Sequence, residues 1–245
     1  MTKRSILIIN PNTTESMTTA LVPLVKQLQF EDTHYGYFTA PSGPKSINNE
    51  DDAAESAKHC EPALIPLLDR YDSFLVACYS QHPLVHILKK HIAASDTSQP
   101  VTGIFEASVG LALQIIAPSE KFGIVSTGKA WEDILTEAVA EFLGTHSTDS
   151  KRFAGVETTG LNASDLHDAP AEVVRKRMKD AVHRLLQKGS VGAICLGCAG
   201  MAGMNEMVRE ACVEALGEVG GRHIRIVDGV QAGAAWLEGV LRAEI

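Results

Sequence analysis

Short apolar runs alternate with longer segments of helical period along this chain. Residues 5–10 (SILIIN) form an apolar run closed by Pro11. Thr13 or Thr14 then caps a segment with Met17, Leu21, Val25 and Leu28 at helical spacing. Residues 34–40 alternate as a strand does, and a polar loop rich in Pro, Gly, Ser and Asn follows. A helix is expected from about Asp52, with Pro62 and Pro66 opposing its continuation. Residues 73–79 read as a buried strand, 84–94 as a helix and 101–105 as a strand. Further strands are expected at 121–127, 153–159, 191–198 and 224–228, and helices at 130–143, 171–187 and 206–216. Strands alternating with helices predict an α/β fold with parallel sheet.

The pattern divides into two similar halves of four strands each. ILIIN-PNT corresponds to GIVST-GKA, FLVACYSQ to AICLGCAG, and TGIFEAS to RIVDGVQ. Asn10 lies 68 residues before Cys78, and Thr127 lies 71 before Cys198. Two pseudo-twofold-related, four-stranded parallel-sheet α/β domains are therefore expected, with a site in the cleft between them. The helix after each fourth strand is expected to cross to the other half. The domains then comprise 1–106 plus 230–245, and 107–229.

Charge changes this picture little. The 22 Lys and Arg against 30 Asp and Glu give a formal net charge of −8. That opposes a nucleic-acid or anionic-membrane surface. No run reaches about 18 apolar residues, so no membrane span is expected. MTKRSILIIN starts basic, but its apolar run is short and ends at Asn10, as a first strand does and a signal peptide does not. Five cysteines are an odd number for a disulfide framework, so reduced thiols and a cytoplasmic location are expected.

Open parallel sheets bind ligands beyond the carboxyl ends of their strands. Cys78 and Cys198 close buried runs at matching places in the two halves. Packing alone explains one cysteine at such a place; it does not require two to match. Halves facing each other bring one thiol to each side of a cleft, which suits a racemase. One thiolate removes a proton from one face of a carbon, and the opposing thiol returns one to the other face. A free thiol has a pKa of about 8.5. Backbone N–H groups at the helix starts after each cysteine are expected to raise the thiolate fraction. Ala199 and Gly200 are small enough for backbone to approach a ligand.

The other candidates read as structural. Cys60 and Cys212 fall on expected helices and read as packing. Cys195 precedes Cys198 by three, an offset that points two side chains of one strand to opposite faces. That argues against a metal or redox pair, and no metal site is expected. His82, four residues after Cys78, reads as capping or solvent-facing in preference to the base of a Cys/His hydrolase. His59, His86 and His91 read as helix-surface residues. GCAGMAG lacks the spacing of a dinucleotide fingerprint. The sequon at Asn162 is not expected to be modified in a cytosolic chain.

INPNT, GPKSI, ACYSQHP, GIFEAS, LGCAGM and VDGV, in this order from Asn10 to Val230, resemble the hydantoin/allantoin racemase branch of the aspartate/glutamate racemase superfamily. The resemblance implies a two-base racemase without cofactor, a homo-oligomer, and Cys78 and Cys198 as the acid/base pair. It places Asn10, Ser46 and Ile47 on the first-domain side of the substrate, with Tyr79 and Ser80 after the first thiol. It places Ser126, Thr127 and Gly128 on the second-domain side, with Gly197 and Ala199 flanking the second thiol. Glutamate and aspartate racemases carry an acidic motif where this chain has Asn10. A neutral amide is both donor and acceptor and suits a small neutral cyclic ureide. Allantoin is the preferred substrate, with 5-substituted hydantoins second. Where many hydantoin racemases have a Phe-Asp-type pair after the first cysteine, this chain has Tyr79, Ser80 and Gln81, a more polar set. Isomerisation or decarboxylation of a dicarboxylate is disfavoured, because the loops offer chiefly Lys45 and Lys129 as cations. A metabolite sensor without catalysis is the remaining alternative.

Overall fold

The computed structural model describes residues 4–95, 97–145 and 150–245. Met1, Thr2 and Lys3, part of the basic start noted above, lie outside the described residues. The chain forms two units: Met1–Ala107 with Val230–Ile245, and Ser108–Gly229.

In the first unit, β1 (Arg4–Asn10) leads to α1 (Glu15–Lys26) and β2 (Thr33–Thr39). α2 (Glu50–Leu64) begins with Asn49, whose side chain accepts the Asp52 N–H at 2.8 Å. α2 runs through Pro62, contrary to expectation. Pro62 is exposed, so the hydrogen bond it forgoes is on the solvent side, where water substitutes. The chain then tightens into a 3-10 segment, Ile65–Arg70, which Pro66 enters near its first position. β3 (Ser73–Val76), α3 (Pro83–Ala94) and β4 (Val101–Gly103) follow. α4 (Ile104–Ile115) starts without a linker, so Ile104 and Phe105, expected in a strand, are helical.

The second unit repeats the plan. β5 (Lys121–Ser126), α5 (Trp131–Phe142) and β6 (Phe153–Thr158) come first. The short α6 (Asp165–Asp168), α7 (Ala171–Leu186) and β7 (Val191–Leu196) come next. α8 (Asn205–His223), β8 (Arg225–Asp228) and α9 (Gly229–Ala243) complete the chain. α8 was expected to stop at Leu216. Gly217 does break the helical path, with φ +73°, but the chain resumes helical turns to His223.

The sheets are all parallel, ordered β2-β1-β3-β4 and β6-β5-β7-β8. The inner strands β1, β3, β5 and β7 are largely buried apolar runs, as parallel strands covered on both faces must be. In the first unit Leu7, Ile9, Phe74 and Val76 pack with Leu64 of α2 and Leu84 and Leu88 of α3. In the second, Val125, Ile194 and Leu196 pack with Met178, Val182 and Leu185 of α7 and Val208 of α8. Each such buried side chain contributes ~1.5–3 kcal/mol, so the strand ends stand on rigid supports. Among the described residues, no helix is long and apolar enough to cross a membrane.

Candidate active site

Strand order reverses direction beside β1 in the first unit and beside β5 in the second. Ligands of open α/β sheets bind at such switch points, beyond the carboxyl ends of the two strands involved. In the first unit these are the ends of β1 and β3; in the second, of β5 and β7. Val76 and Leu196 end β3 and β7. Both candidate cysteines therefore stand two residues past a strand, not on it as expected. The opposite-face argument for Cys195 and Cys198 lapses with that. Cys195 is separated from the site for another reason: it is buried within β7, its thiol directed to the Ser108 carbonyl at 3.7 Å. None of the five cysteines is joined in a disulfide.

The pairing register defines which residues correspond. Ile9 pairs with Val76, and Val125 with Leu196. Asn10 pairs with Thr39, and Ser126 with Thr158. Ala77 N–H donates to Ile9 O at 2.8 Å, and Gly197 N–H to Val125 O at 2.7 Å. Cys78 and Cys198 are thus equivalent, as read from the sequence. The partner of Asn10, however, is Ser126, one residue before the expected Thr127.

Around Cys78, the loop is built by polar side chains. Cys78 Sγ lies 3.6 Å from Ser80 Oγ. Tyr79 is buried edge-on against Phe105, with ring centroids 5.7 Å apart. Asn10 is 2% exposed and its amide is engaged within the loop. Nδ2 lies within reach of Asn12 Oδ1, Thr14 O and Thr18 Oγ1 at 3.0–3.1 Å, and Oδ1 accepts the Asn12 N–H at 3.2 Å. Asn10 therefore shapes the 10–14 loop from below. Thr13 N–H and Thr14 Oγ donate to Pro44 O and Lys45 O at 3.1 and 2.8 Å, joining that loop to the one bearing Ser46 and Ile47. Ile47 is buried, and Ser46 Oγ reaches Asn48 Oδ1 at 3.4 Å.

Around Cys198, main chain dominates. Gly200 N–H donates to Cys198 Sγ at 3.3 Å, within a 3-10 turn, Ala199–Met201. That N–H was expected to favour thiolate. Burial wins instead, pushing the thiol up to about 11 despite the N–H groups of Gly200 and Met201. Gly197 has no room for a side chain: a Cβ would stand 2.6 Å from Ile124 Cγ2, 2.8 Å from Val125 O and 2.9 Å from Ser126 Cβ. Ser126 is fully buried and its Oγ donates to Gly197 O at 2.7 Å. Thr127 is buried, and its carbonyl accepts the Gly160 N–H at 2.9 Å. Gly128 borders open space, and Ala199 is half-buried beside the thiol.

The structure thus gathers Asn10, Ser46, Ile47, Cys78, Tyr79 and Ser80 at one strand-end region, and Ser126, Thr127, Gly128, Gly197, Cys198 and Ala199 at another. Ser56 of α2, not singled out from the sequence, is buried beside Cys60, whose reading as a packing residue holds, and both side chains reach Pro11 O. Their spacing of four on one helix face was the available signal. His82 was expected to cap or to face solvent. It caps α3, accepting the Leu84 N–H on Nδ1 at 3.3 Å, and is buried at 2% exposure. Among the described residues, no group of three or more His, Cys, Asp or Glu is placed to hold a metal ion.

Two doubly wound parallel-sheet units, each with a thiol at its switch point, define a class of α/β protein built for chemistry at strand ends. A model of the Asp/Glu/Hydantoin racemase family matches residues 6–237. The chain belongs to that family, whose members are racemases and isomerases. An uncharacterized protein of Schizosaccharomyces pombe is 32% identical, over 98% of this chain and 93% of its own length. A hydantoin racemase of a Pseudomonas species is 29% identical, over 96% of this chain and 85% of its own. Among solved structures, an allantoin racemase from Klebsiella pneumoniae shares the fold with a TM-score of 0.80. It is 23% identical, over 99% of this chain and 89% of that one.

Proposed function

We propose that this chain is a cofactor-independent racemase of allantoin that uses Cys78 and Cys198 as a two-base pair. The observation that carries the reading is the equivalence of the two thiols. Each stands two residues past a strand at the switch point of its own sheet, in the same register.

The chemistry follows from the substrate. The chiral C–H of allantoin adjoins a ring carbonyl, so its removal leaves a delocalised enolate. One thiolate takes that proton while the other thiol donates to the opposite face, and the charge moves from one sulfur to the other. The reverse reaction exchanges the roles. Desolvation biases Cys198 toward its protonated form, the state a donor needs. When it becomes thiolate in turn, Gly200 N–H already points at the sulfur. The loops beside both thiols present neutral polar groups, which suits a ureide that carries no charge.

A second reading, racemisation of 5-substituted hydantoins, is favoured by the hydantoin racemase among the relatives. Circular dichroism of enantiopure allantoin and of 5-alkyl and 5-aryl hydantoins in deuterated buffer decides between them. Allantoin is expected to lose its signal fastest and to gain deuterium at the chiral carbon. Faster turnover of a hydantoin reverses the order. An unchanged signal on every substrate, or release of ring-opened product, removes the racemase reading. Tight binding without exchange would instead mark a sensor.

A further inference from the structure

We propose that His82 is a positioning residue that closes the Cys78 loop onto α3 with an uncharged helix cap, keeping negative charge away from that thiol. The inference rests on the reading of Cys78 as an acid/base group.

β3 ends at Val76 and α3 begins at Pro83, so Cys78 sits on a short connection. That connection is tied at both sides. Ala77 N–H holds it to Ile9 O at 2.8 Å, and Ser80 N–H turns back to Cys78 O at 3.1 Å. At the far end His82 Nδ1 accepts the Leu84 N–H at 3.3 Å, and its carbonyl accepts the Val85 N–H at 3.0 Å. Pro83 at the first helical position has no N–H to satisfy. His82 therefore meets the helix's first free donor and fixes where the loop ends.

The residue type is unusual for the task. Ser, Thr, Asn and Asp are the strong caps. A ring that accepts on Nδ1 is neutral and carries its proton on Nε2. His82 Nε2 is buried with no hydrogen-bond partner in the structure. An orphaned buried donor costs ~1–3 kcal/mol, a cost that an uncharged Ser, Thr or Asn cap would not carry; the contrast that bears on Cys78 is with Asp. Asp would cap at least as well, but would set a carboxylate a few residues from a sulfur that must become thiolate. A fixed negative charge there favours the protonated thiol. An imidazole caps without that charge.

The surroundings keep the ring neutral. The elements packed on α3 carry Glu50, Asp51, Asp52, Glu55, Lys58, His59, Cys60 and Glu61 on α2 and Asp69 and Arg70 on the 3-10 segment, and Glu106 follows β4. None of them forms an ion pair or hydrogen bond with His82. Glu61 is paired with His91 of α3 at 2.7 Å. Burial lowers the His82 pKa to about 4, so the cap stays uncharged at neutral pH.

The test is a series at position 82, read by the pH dependence of iodoacetamide alkylation at Cys78, quantified by peptide mass spectrometry, with racemisation measured alongside. His82→Asn keeps a neutral cap, and should leave the melting temperature and the alkylation profile unmoved and kcat/KM within about threefold of the parent. His82→Asp should fold as well as the parent. Its Cys78 profile should move to higher pH by about one unit, with alkylation near neutral pH slowed roughly tenfold. His82→Ala should melt earlier with an unmoved profile. A folded Asp variant with an unmoved profile overturns the proposal. So does an Asp variant that fails to fold, or an Asn variant as impaired as the Asp one. Cys78→Ser separates the two readings. If it still racemises substrate, the two-thiol mechanism falls, while the alkylation series still decides what His82 does to Cys78.

Discussion

The strand ends that carry Cys78 and Cys198 share a register and differ in what meets the sulfur. In the first unit the neighbour is a hydroxyl, Ser80 Oγ at 3.6 Å, and the loop beneath is woven from side chains of Asn10, Asn12, Thr13 and Thr14. In the second it is a main-chain N–H, Gly200 at 3.3 Å, on a turn made of small residues. The two units share the position of the thiol and differ in its surroundings. The proposed two-base reaction asks only for the first of these, the same placement twice. The comparison also shows how loop shape is enforced. Asn10 braces its own loop and α1 with one amide, whereas Ser126 ties the end of β5 to Gly197 after β7.

The largest expected effect is on the chemistry. Cys78→Ser and Cys198→Ser should each lower racemisation ~10²–10⁴-fold. Each variant should still exchange solvent deuterium into one enantiomer only, and the favoured enantiomer should differ between them. Proton NMR in deuterated buffer reads this directly. Exchange confined to the same enantiomer in both variants would mean that the thiols do not serve opposite faces.

Next in size is Asn10→Asp. Asn10 Nδ2 stands 3.1 Å from Thr14 O and from Asn12 Oδ1, so a carboxylate there would set oxygen against oxygen in a buried place. A loss of about 3 kcal/mol is expected, read by urea unfolding. Ser126→Ala removes a single hydrogen bond, to Gly197 O, and should cost about 1 kcal/mol. Equal losses would show that the two loops are not held as differently as their contacts imply.

Gly197→Ala should destabilise by ~1–3 kcal/mol, because its Cβ has no room among Ile124, Val125 and Ser126. The equivalent Ala77 is buried yet already carries a Cβ. Ala77→Gly should therefore cost only ~0.5–1 kcal/mol. Thermal unfolding of the pair measures the asymmetry, and a harmless Gly197→Ala would break it.

Much of this was legible in the residues. Alternating apolar runs and helical periods located both four-stranded sheets, and the repeated motifs picked out the two cysteines. What failed did so for identifiable reasons. Apolar runs do not mark where hydrogen-bonded pairing stops, so β3 and β7 end before their cysteines. Nor do they define register, and Asn10 was matched to Thr127 instead of Ser126. Gly217 carried a helix-stop signal, but helical turns resume beyond it. At Cys198 the helix-start N–H groups read from the sequence do pull the thiol pKa down, but the desolvation that outweighs them has no signal in the sequence.

That same desolvation gives the smallest effect. Burial raises Cys198 to about 11, above the ~8.5 of a thiol in an unfolded chain. The folded state thus binds this proton more tightly. The stabilisation is complete below about pH 8.5 and is lost as pH rises through 11. Cys60 and Cys212, also pushed up to about 11 by burial, add to the same alkaline loss. Denaturant midpoints at pH 8 and pH 10.5 should therefore fall for the parent chain and fall less for Cys198→Ser. Lysine and tyrosine titration is common to both, so the difference isolates one thiol. An identical fall in the two proteins would show that the Cys198 proton is not held by burial, and with it would go the view that desolvation biases this thiol toward its protonated form.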